Sequence, residues 1–340
     1  CFVLKMIDKG LHVINLDKLT YSGNLENLKT VFSNPNHNFI KGDIGDSNLV
    51  RGLLEKYKPS AVVNFAAESH VDRSIVDPDI FVRTNVLGTE ILLRTVTEWW
   101  SNLSSAEKDK FRFHHISTDE VFGTLKLSDP AFTEETPFAP NSPYSASKAS
   151  SDHFVRAFNE TFGLPTVITN CSNNYGPRQF PEKLIPLMTL NAVSGKKLPI
   201  YGTGENIRDW LHVEDHCEAI YEVLTKGKVG ETYNIGGKSE RTNLFIVNKI
   251  CSILDEIRPR EDGKSYKEQI TYVKDRLGHD FRYAINCSKI ERELGWTPRH
   301  TFEEGIKETI QWYLENPSWV ESIKTGEYRK WLEVNYSGRE

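Results

Sequence analysis

Tyr144 and Lys148 stand four residues apart in the run YSASK. On a helix that spacing puts both side chains on one face. A free phenol ionises near pH ~10, too high for a base at neutral pH. A neighbouring ammonium favours the phenolate and lowers that value. The pair then suits taking a proton from a hydroxyl whose carbon gives up hydride. A surface helix with an exposed tyrosine carries the same spacing, so the elements around it decide its meaning.

Upstream lies Ser117-Thr118-Asp119-Glu120, at the end of an apolar stretch. Two adjacent carboxyls there can divide acid and base work if their surroundings separate their pKa values. Thr118 adds a short hydroxyl donor. A solvated turn that caps a helix reads the same way in isolation. Asp17 ends an earlier apolar stretch. An acidic residue there holds ribose hydroxyls in a dinucleotide-binding unit and repels a 2′-phosphate, which favours NAD over NADP. The adjacent Lys18 softens that preference. The matching glycines fall about 20 residues earlier, before Cys1. The first strand and its GxxGxxG turn are therefore expected outside this chain. The Gly202-Thr203-Gly204 loop is no substitute, because it lacks the third glycine.

His212 and His216 share helical spacing, with Glu214 and Asp215 between them. The zinc-protease pattern needs a glutamate directly after the first histidine, so no metal site is expected. His114, His115 and His70 read as packed rather than ligating.

These residues need a scaffold. Residues 12–17, 38–43, 61–67, 112–118 and 165–171 read as short strands, and 46–57, 79–100 and 144–162 as helices between them. That alternation means right-handed crossovers and a parallel, doubly wound sheet. Ligands sit at the carboxyl ends of such strands. Residues 2–9 read as a helix closed by Gly10. Later helices are expected near 182–195, 214–226, 243–257 and 301–315, with strands near 198–201, 231–235 and 270–274. The aromatic tail from Pro317 to Tyr336 (Trp319, Tyr328, Trp331) is expected to pack on the body.

The chain has 340 residues, 38% apolar and 26% charged, with net charge −5. That length suits two lobes. The balance excludes wholesale disorder and gives no basic excess for nucleic acid. Five cysteines without a CxxC pair exclude a disulfide scaffold and a zinc knuckle, and suit a reducing cytoplasm. No apolar run approaches the ~18 residues of a membrane span.

The segments HISTDEVFG (115–123) and YSASK (144–148) resemble the extended short-chain dehydrogenase/reductase family, and within it the nucleotide-sugar 4,6-dehydratases. The likeness runs on through LDKLTYSGNLENL (16–28), NFAAESHVDRS (64–74), NCSNNYGPRQFPEKLIP (170–186), RDWLHVEDH (208–216) and DRLGHDFRYAI (275–285). Epimerases of that family generally carry small residues where Asp119 and Glu120 stand. The resemblance implies NAD as cofactor and a nucleotide-glucose as substrate, with thymidine favoured over uridine. It implies that Tyr144 deprotonates the sugar 4-hydroxyl and that Lys148 holds the nicotinamide ribose. Thr118 would bond the reacting oxygen, Glu120 would take the C5 hydrogen, and Asp119 would protonate the departing 6-hydroxyl. Cofactor contacts carry over onto Asp17, Lys18, Thr20, Asp43, Ile44, Ala66, Ala67, Thr84 and Asn174, with Tyr144 and Lys148. Sugar-nucleotide contacts carry over onto Ser69, Thr118, Asn173, Lys183, Leu184, Arg208, Asn243, Arg276 and His279. Forked guanidinium donors suit a pyrophosphate; without the family pattern, Arg208 and Arg276 read as partners of Asp209 and Asp275. Leu277 replaces an expected proline and should loosen its loop.

The implied architecture is an NAD-binding Rossmann domain over 1–171, with a returning segment near 205–240. A smaller nucleotide-sugar-binding lobe would use 172–204 and 241–340. The helices 79–100 and 144–162 carry more apolar positions than one core face needs, and the resemblance implies a homodimer through a four-helix bundle. The rival readings are a 4-epimerase or decarboxylase of the same fold, or a non-catalytic NAD-binding scaffold. The paired carboxyls weigh against the first. Intact Tyr144, Lys148, Asp119 and Glu120 weigh against the last.

Overall fold

The computed structural model describes residues 1–323. Strands β3 (Ala61–Asn64), β4 (Arg112–Thr118), β5 (Thr166–Cys171) and β9 (Thr232–Ile235) form one parallel sheet in the order β3-β4-β5-β9. Strands β1 (Val13–Asp17) and β2 (His37–Lys41) form a separate parallel pair. Parallel strands share one carboxyl edge, so the ends of β3, β4 and β5 open on the same side.

The helix Pro143–Phe162 follows β4 and carries Tyr144 in its first turn. Ser142 caps it reciprocally with Ser145, and Gly163 closes it in the left-handed region at φ 70°. Leu93, Val96, Phe111, Phe113, Val155, Phe158 and Leu164 form the core between sheet and helices. Burial of each such side chain is worth ~1.5–3 kcal/mol relative to exposure. That core holds β4 against the tyrosine helix.

A second core gathers Tyr175, Ile185, Met188, Leu198, Ile200, Trp210, Val247, Ile250 and Ile306. Around it lie a three-stranded sheet, β10 (Glu240–Thr242), β8 (Ile207–His212) and β6 (Asn173–Tyr175), and the pair β7 (Leu198–Tyr201) and β11 (Ile270–Val273). The helices Leu184–Val193, Asn243–Ile257 and Phe302–Glu315 cover them.

Three expectations need correction. The strand expected to 67 stops at Asn64, whose side-chain oxygen accepts the Ala66 N–H at 3.2 Å and turns the chain. The strand expected to 43 stops at Lys41, and Asp43 lies in a turn where it accepts the Gly45 N–H at 2.8 Å. The single helix expected over 79–100 is a short turn Pro78–Phe81, a wide π-type stretch Val82–Gly88, and a regular helix Thr89–Ser101. Such wide turns recur at functional sites. Here Asn85 sits inside it. Its amide accepts the Glu68 N–H, donates to the Glu68 carbonyl, and donates to Ser147 Oγ at 2.8 Å. Asn85 therefore ties the loop after β3 to the tyrosine helix.

Of the aromatic tail, Trp319 is buried against Tyr313 and Val320, and its indole donates to Asn27 at 2.7 Å. Tyr328 and Trp331 lie outside the described residues. Among the described residues, no helix is long and apolar enough to cross a membrane.

Candidate active site

At the end of β4 the chain enters a tight turn, Asp119–Phe122, capped by Thr118, whose hydroxyl accepts the Glu120 N–H at 3.3 Å. The turn sends the two carboxyls to different surroundings. Asp119 is 1% exposed, and one of its oxygens has no hydrogen-bond partner. Burial, then the Glu120 charge, pushes its carboxyl well above the usual range. Glu120 faces an open cleft. Burial raises it too, and the charges of Arg276, Arg208 and Lys183 offset that only in part, so it also stays above its ordinary value. One carboxyl therefore keeps its proton most firmly, while the other is held by three cations. That is the separation acid and base work requires.

Tyr144 is buried, edge-on to Phe81. Burial, then Glu120, raises its phenol well above the ordinary value, and a hydrogen bond with Thr118 works the other way. The expectation that Lys148 lowers this pKa is not met: Lys148 is not among the groups that shift it. Lys148 Nζ donates to the Ile116 carbonyl at 2.8 Å and lies 3.4 Å from His115 Nε2. Burial lowers its own pKa, and Asp152 counters. Asp152 is locked in turn by Ser117 Oγ at 2.7 Å and Asn170 Nδ2 at 3.2 Å. His115 is fully buried and pushed down to about 4 by burial, then by Lys148, so it is a neutral spacer in this network.

The cleft is open to solvent and has a cavity volume of about 180 Å³. Glu120, Ser69, Asn173, Lys183, Leu184, Arg208, Asn243, Arg276 and His279 all line it. Thr118 does not; it lies beneath, between Tyr144 and Glu120. Lys183 donates to the Ser69 carbonyl at 2.9 Å. The salt bridges considered for the two arginines are not what the structure shows. Arg208 is buried, donates to the carbonyls of Ile207 at 2.7 Å and Asp280 at 2.9 Å, and lies over the Tyr283 ring at 4.1 Å. Asp209 instead accepts the N–H groups of Gly237 and Ser239. Asp275 takes His279 Nδ1 at 2.7 Å, and the buried Nε of Arg276 has no partner. Leu277 is 72% exposed beside Gly278, which sits at φ 60°.

Tyr283 and Asp280 were not legible as site residues. The Tyr283 hydroxyl donates to Asp280 at 2.5 Å beneath Arg208, and Tyr283 lines the cleft. Both lie in the DRLGHDFRYAI segment, but a lone tyrosine there reads as core. Trp210, also in the cleft wall, reads the same way.

Asp17, Lys18, Thr20, Asp43, Ile44, Ala66, Ala67 and Thr84 do not line this cleft. Asp17 to Ala67 follow the carboxyl ends of β1, β2 and β3, and Thr84 lies in the wide turn beside them. Asp17 accepts the Leu19 N–H at 2.7 Å. Lys18 is bridged to Asp43 at 2.7 Å, so the cation next to Asp17 is already matched by a carboxylate. That donor and acceptor set fits a ribose diol better than a 2′-phosphate. The amide oxygens of Asn173 and Asn174 are buried without hydrogen-bond partners, as acceptors awaiting a ligand would be.

A family model described as GDP-mannose 4,6 dehydratase matches residues 1–309. The dTDP-glucose 4,6-dehydratase of Xanthomonas campestris pv. campestris (strain ATCC 33913) is 59% identical over 328 residues, 96% of this chain and 93% of that protein. A Bacillus anthracis dTDP-glucose 4,6-dehydratase solved in complex with NAD is 47% identical, with TM-score 0.83 and 95% of each chain covered. DesIV, a dTDP-glucose 4,6-dehydratase of Streptomyces venezuelae solved with NAD and TYD bound, is 42% identical, with TM-score 0.86 and the same coverage.

Proposed function

The chain belongs to the dTDP-glucose 4,6-dehydratase family, and on that premise we propose that it converts dTDP-glucose to the 4-keto-6-deoxy sugar nucleotide with NAD as cofactor. The observation that carries this reading is the Asp119–Glu120 pair, one carboxyl sealed and proton-holding, the other facing three cations in the cleft. A 4-epimerase eliminates no water and has no use for the pair.

When bound, NAD supplies the hydride acceptor for C4 and the hydride returned to C6. Asp17, Lys18, Thr20, Asp43, Ile44, Ala66, Ala67, Thr84 and Asn174 would hold it in the lobe 1–171, with Tyr144 and Lys148 at its reactive end. Tyr144 takes the proton of the sugar 4-hydroxyl, and Thr118 bonds the same oxygen. Lys148, anchored on Ile116, supplies the positive charge that a buried phenolate needs. With a ketone at C4 the C5 hydrogen becomes acidic, and Glu120 removes it. Asp119 gives its proton to the departing 6-hydroxyl, which leaves as water. Glu120 then returns a proton to C5. Arg208 and Arg276 offer forked donors to the diphosphate. Ser69, Asn173, Lys183, Leu184, Asn243 and His279 line the rest of the sugar-nucleotide site, in the lobe 172–204 and 241–340.

We also infer a homodimer. Val82 and Leu87 on the wide turn, and Phe154 and Phe162 on the tyrosine helix, are 39–54% exposed. Two packed helices that both keep apolar faces outside suit a second copy. The five free cysteines fit a cytoplasmic setting.

Incubating the purified protein with dTDP-glucose and with UDP-glucose, then identifying products by mass and NMR, tests the function. A 4-keto-6-deoxy product from the thymidine substrate supports it. A nucleotide-galactose product would replace it with the epimerase reading.

A further inference from the structure

We propose that His212, His300 and Glu308 form a binding site for one divalent transition-metal ion of the zinc class, outside the catalytic cleft. Their ligand atoms all lie within 4.8 Å of one another. None of the three lines the cleft.

Each member contributes a separate observation. His212 ends β8 and is 5% exposed, yet neither ring nitrogen has a hydrogen-bond partner. A buried imidazole with both nitrogens unsatisfied calls for an explanation, and a metal ion is one. His300 is set the opposite way. Its Nδ1 meets Asp215 Oδ1 at 2.9 Å, while Asp215 Oδ2 accepts the backbone N–H groups of Arg299 at 3.0 Å and His300 at 2.9 Å. A proton on Nδ1 leaves the Nε2 lone pair for a ligand bond, the carboxylate–histidine–metal arrangement. Glu308 comes from the helix Phe302–Glu315, which approaches closely because residue 305 is glycine. A Cβ there would sit 3.2 Å from His212 Cδ2 and 2.5 Å from the Tyr175 hydroxyl.

The donor set selects the ion. Two imidazoles and one carboxylate suit zinc, with a water in the fourth position. Magnesium and calcium prefer all-oxygen sites. Ligand atoms of a tetrahedral zinc site lie about 3.3 Å apart, so the site closes by small ring and carboxylate rotations. The ring centroids of His212 and His300 are 4.1 Å apart. The ion would pin the helix Phe302–Glu315 to the end of β8, making the site a structural clamp. Sequence spacing pairs His212 with His216, but the fold pairs it with His300.

The test uses full-length protein stripped with chelator and titrated with zinc by calorimetry, with cobalt as a spectroscopic stand-in. The account predicts one equivalent bound, a visible tetrahedral cobalt band, and a melting temperature that rises with zinc until saturation. His300→Ala and Glu308→Ala should each abolish the cobalt band and the zinc-dependent melting shift while keeping dTDP-glucose turnover. Asp215→Asn should weaken zinc binding about 10–100-fold. Absence of saturable one-to-one binding overturns the proposal. So does zinc binding that survives both His300→Ala and Glu308→Ala unchanged, because the ion would then sit elsewhere.

Discussion

Lys148 lies one helical turn beyond Tyr144, and its ammonium donates to the Ile116 carbonyl at 2.8 Å. The lysine is thereby tied to strand β4, which ends at Thr118 and leads directly into the turn bearing Asp119 and Glu120. Lys148→Met removes that charge from a buried site. It should lower kcat by about 10²–10⁴-fold with a smaller change in KM, measured by steady-state kinetics. A KM effect without a kcat effect would assign Lys148 to binding alone.

Asp119 gives a stability prediction with a definite sign. Its folded pKa is raised well above 3.8, so the folded chain holds this proton where the unfolded chain has lost it. Stability from this group is full below the ordinary carboxyl range and falls as pH rises toward the raised folded value, by at most about 1.4 kcal/mol per pH unit. Asp119→Asn removes the titration. The variant should gain melting temperature over the parent at pH 8 and lose that gain at pH 4, measured by calorimetry, while its turnover collapses.

Arg208 and Arg276 should separate. Arg208→Ala frees the backbone carbonyls of Ile207, Asp280 and Phe281 and uncovers Tyr283, so a stability loss of about 1–3 kcal/mol should accompany weaker substrate binding. The buried Arg276 Nε has no hydrogen-bond partner. Arg276→Ala should leave the melting temperature nearly unchanged and raise KM for dTDP-glucose about tenfold or more, in line with loss of a charged hydrogen bond of ~1.5–3 kcal/mol.

Much of this site was legible because its chemistry is local. Thr118, Asp119 and Glu120 are consecutive at the end of β4, and Tyr144 and Lys148 share one helical face. Asp17 marks the end of β1 by position alone. What stayed hidden depends on contacts across the fold. Strand β8 carries Arg208 and Asp209, both buried, so no alternation of apolar and polar residues announces it. The wide turn at Val82–Gly88 leaves the apolar pattern nearly unchanged while bringing Asn85 to Glu68 and Ser147. Tyr144 and Lys148 were visible as a pair, but burial raises the phenol, and the ammonium bonds the backbone behind it. The carboxyl split was posed as a condition on surroundings, and only the packed cleft supplies Arg276, Arg208 and Lys183 to one member.

The proposed dimer is argued from the exposed apolar face of the tyrosine helix. Phe154→Glu puts a charge there at a position 39% exposed in the single chain, so it should cost the isolated subunit little. Light scattering should give twice the chain mass for the parent and the single mass for the variant. A parent that scatters as one chain at micromolar concentration contradicts the assembly.

The central claim is that Glu120 moves the C5 hydrogen while Asp119 expels the 6-hydroxyl. Glu120 faces the open cleft, so its carboxyl proton exchanges with solvent before it returns to carbon. Turnover of unlabelled dTDP-glucose in heavy water, followed by NMR of the product, reads this directly. The account predicts a 4-keto-6-deoxy sugar carrying deuterium at C5. A product that keeps its 6-hydroxyl, or a 4-keto-6-deoxy sugar without deuterium at C5, would contradict it.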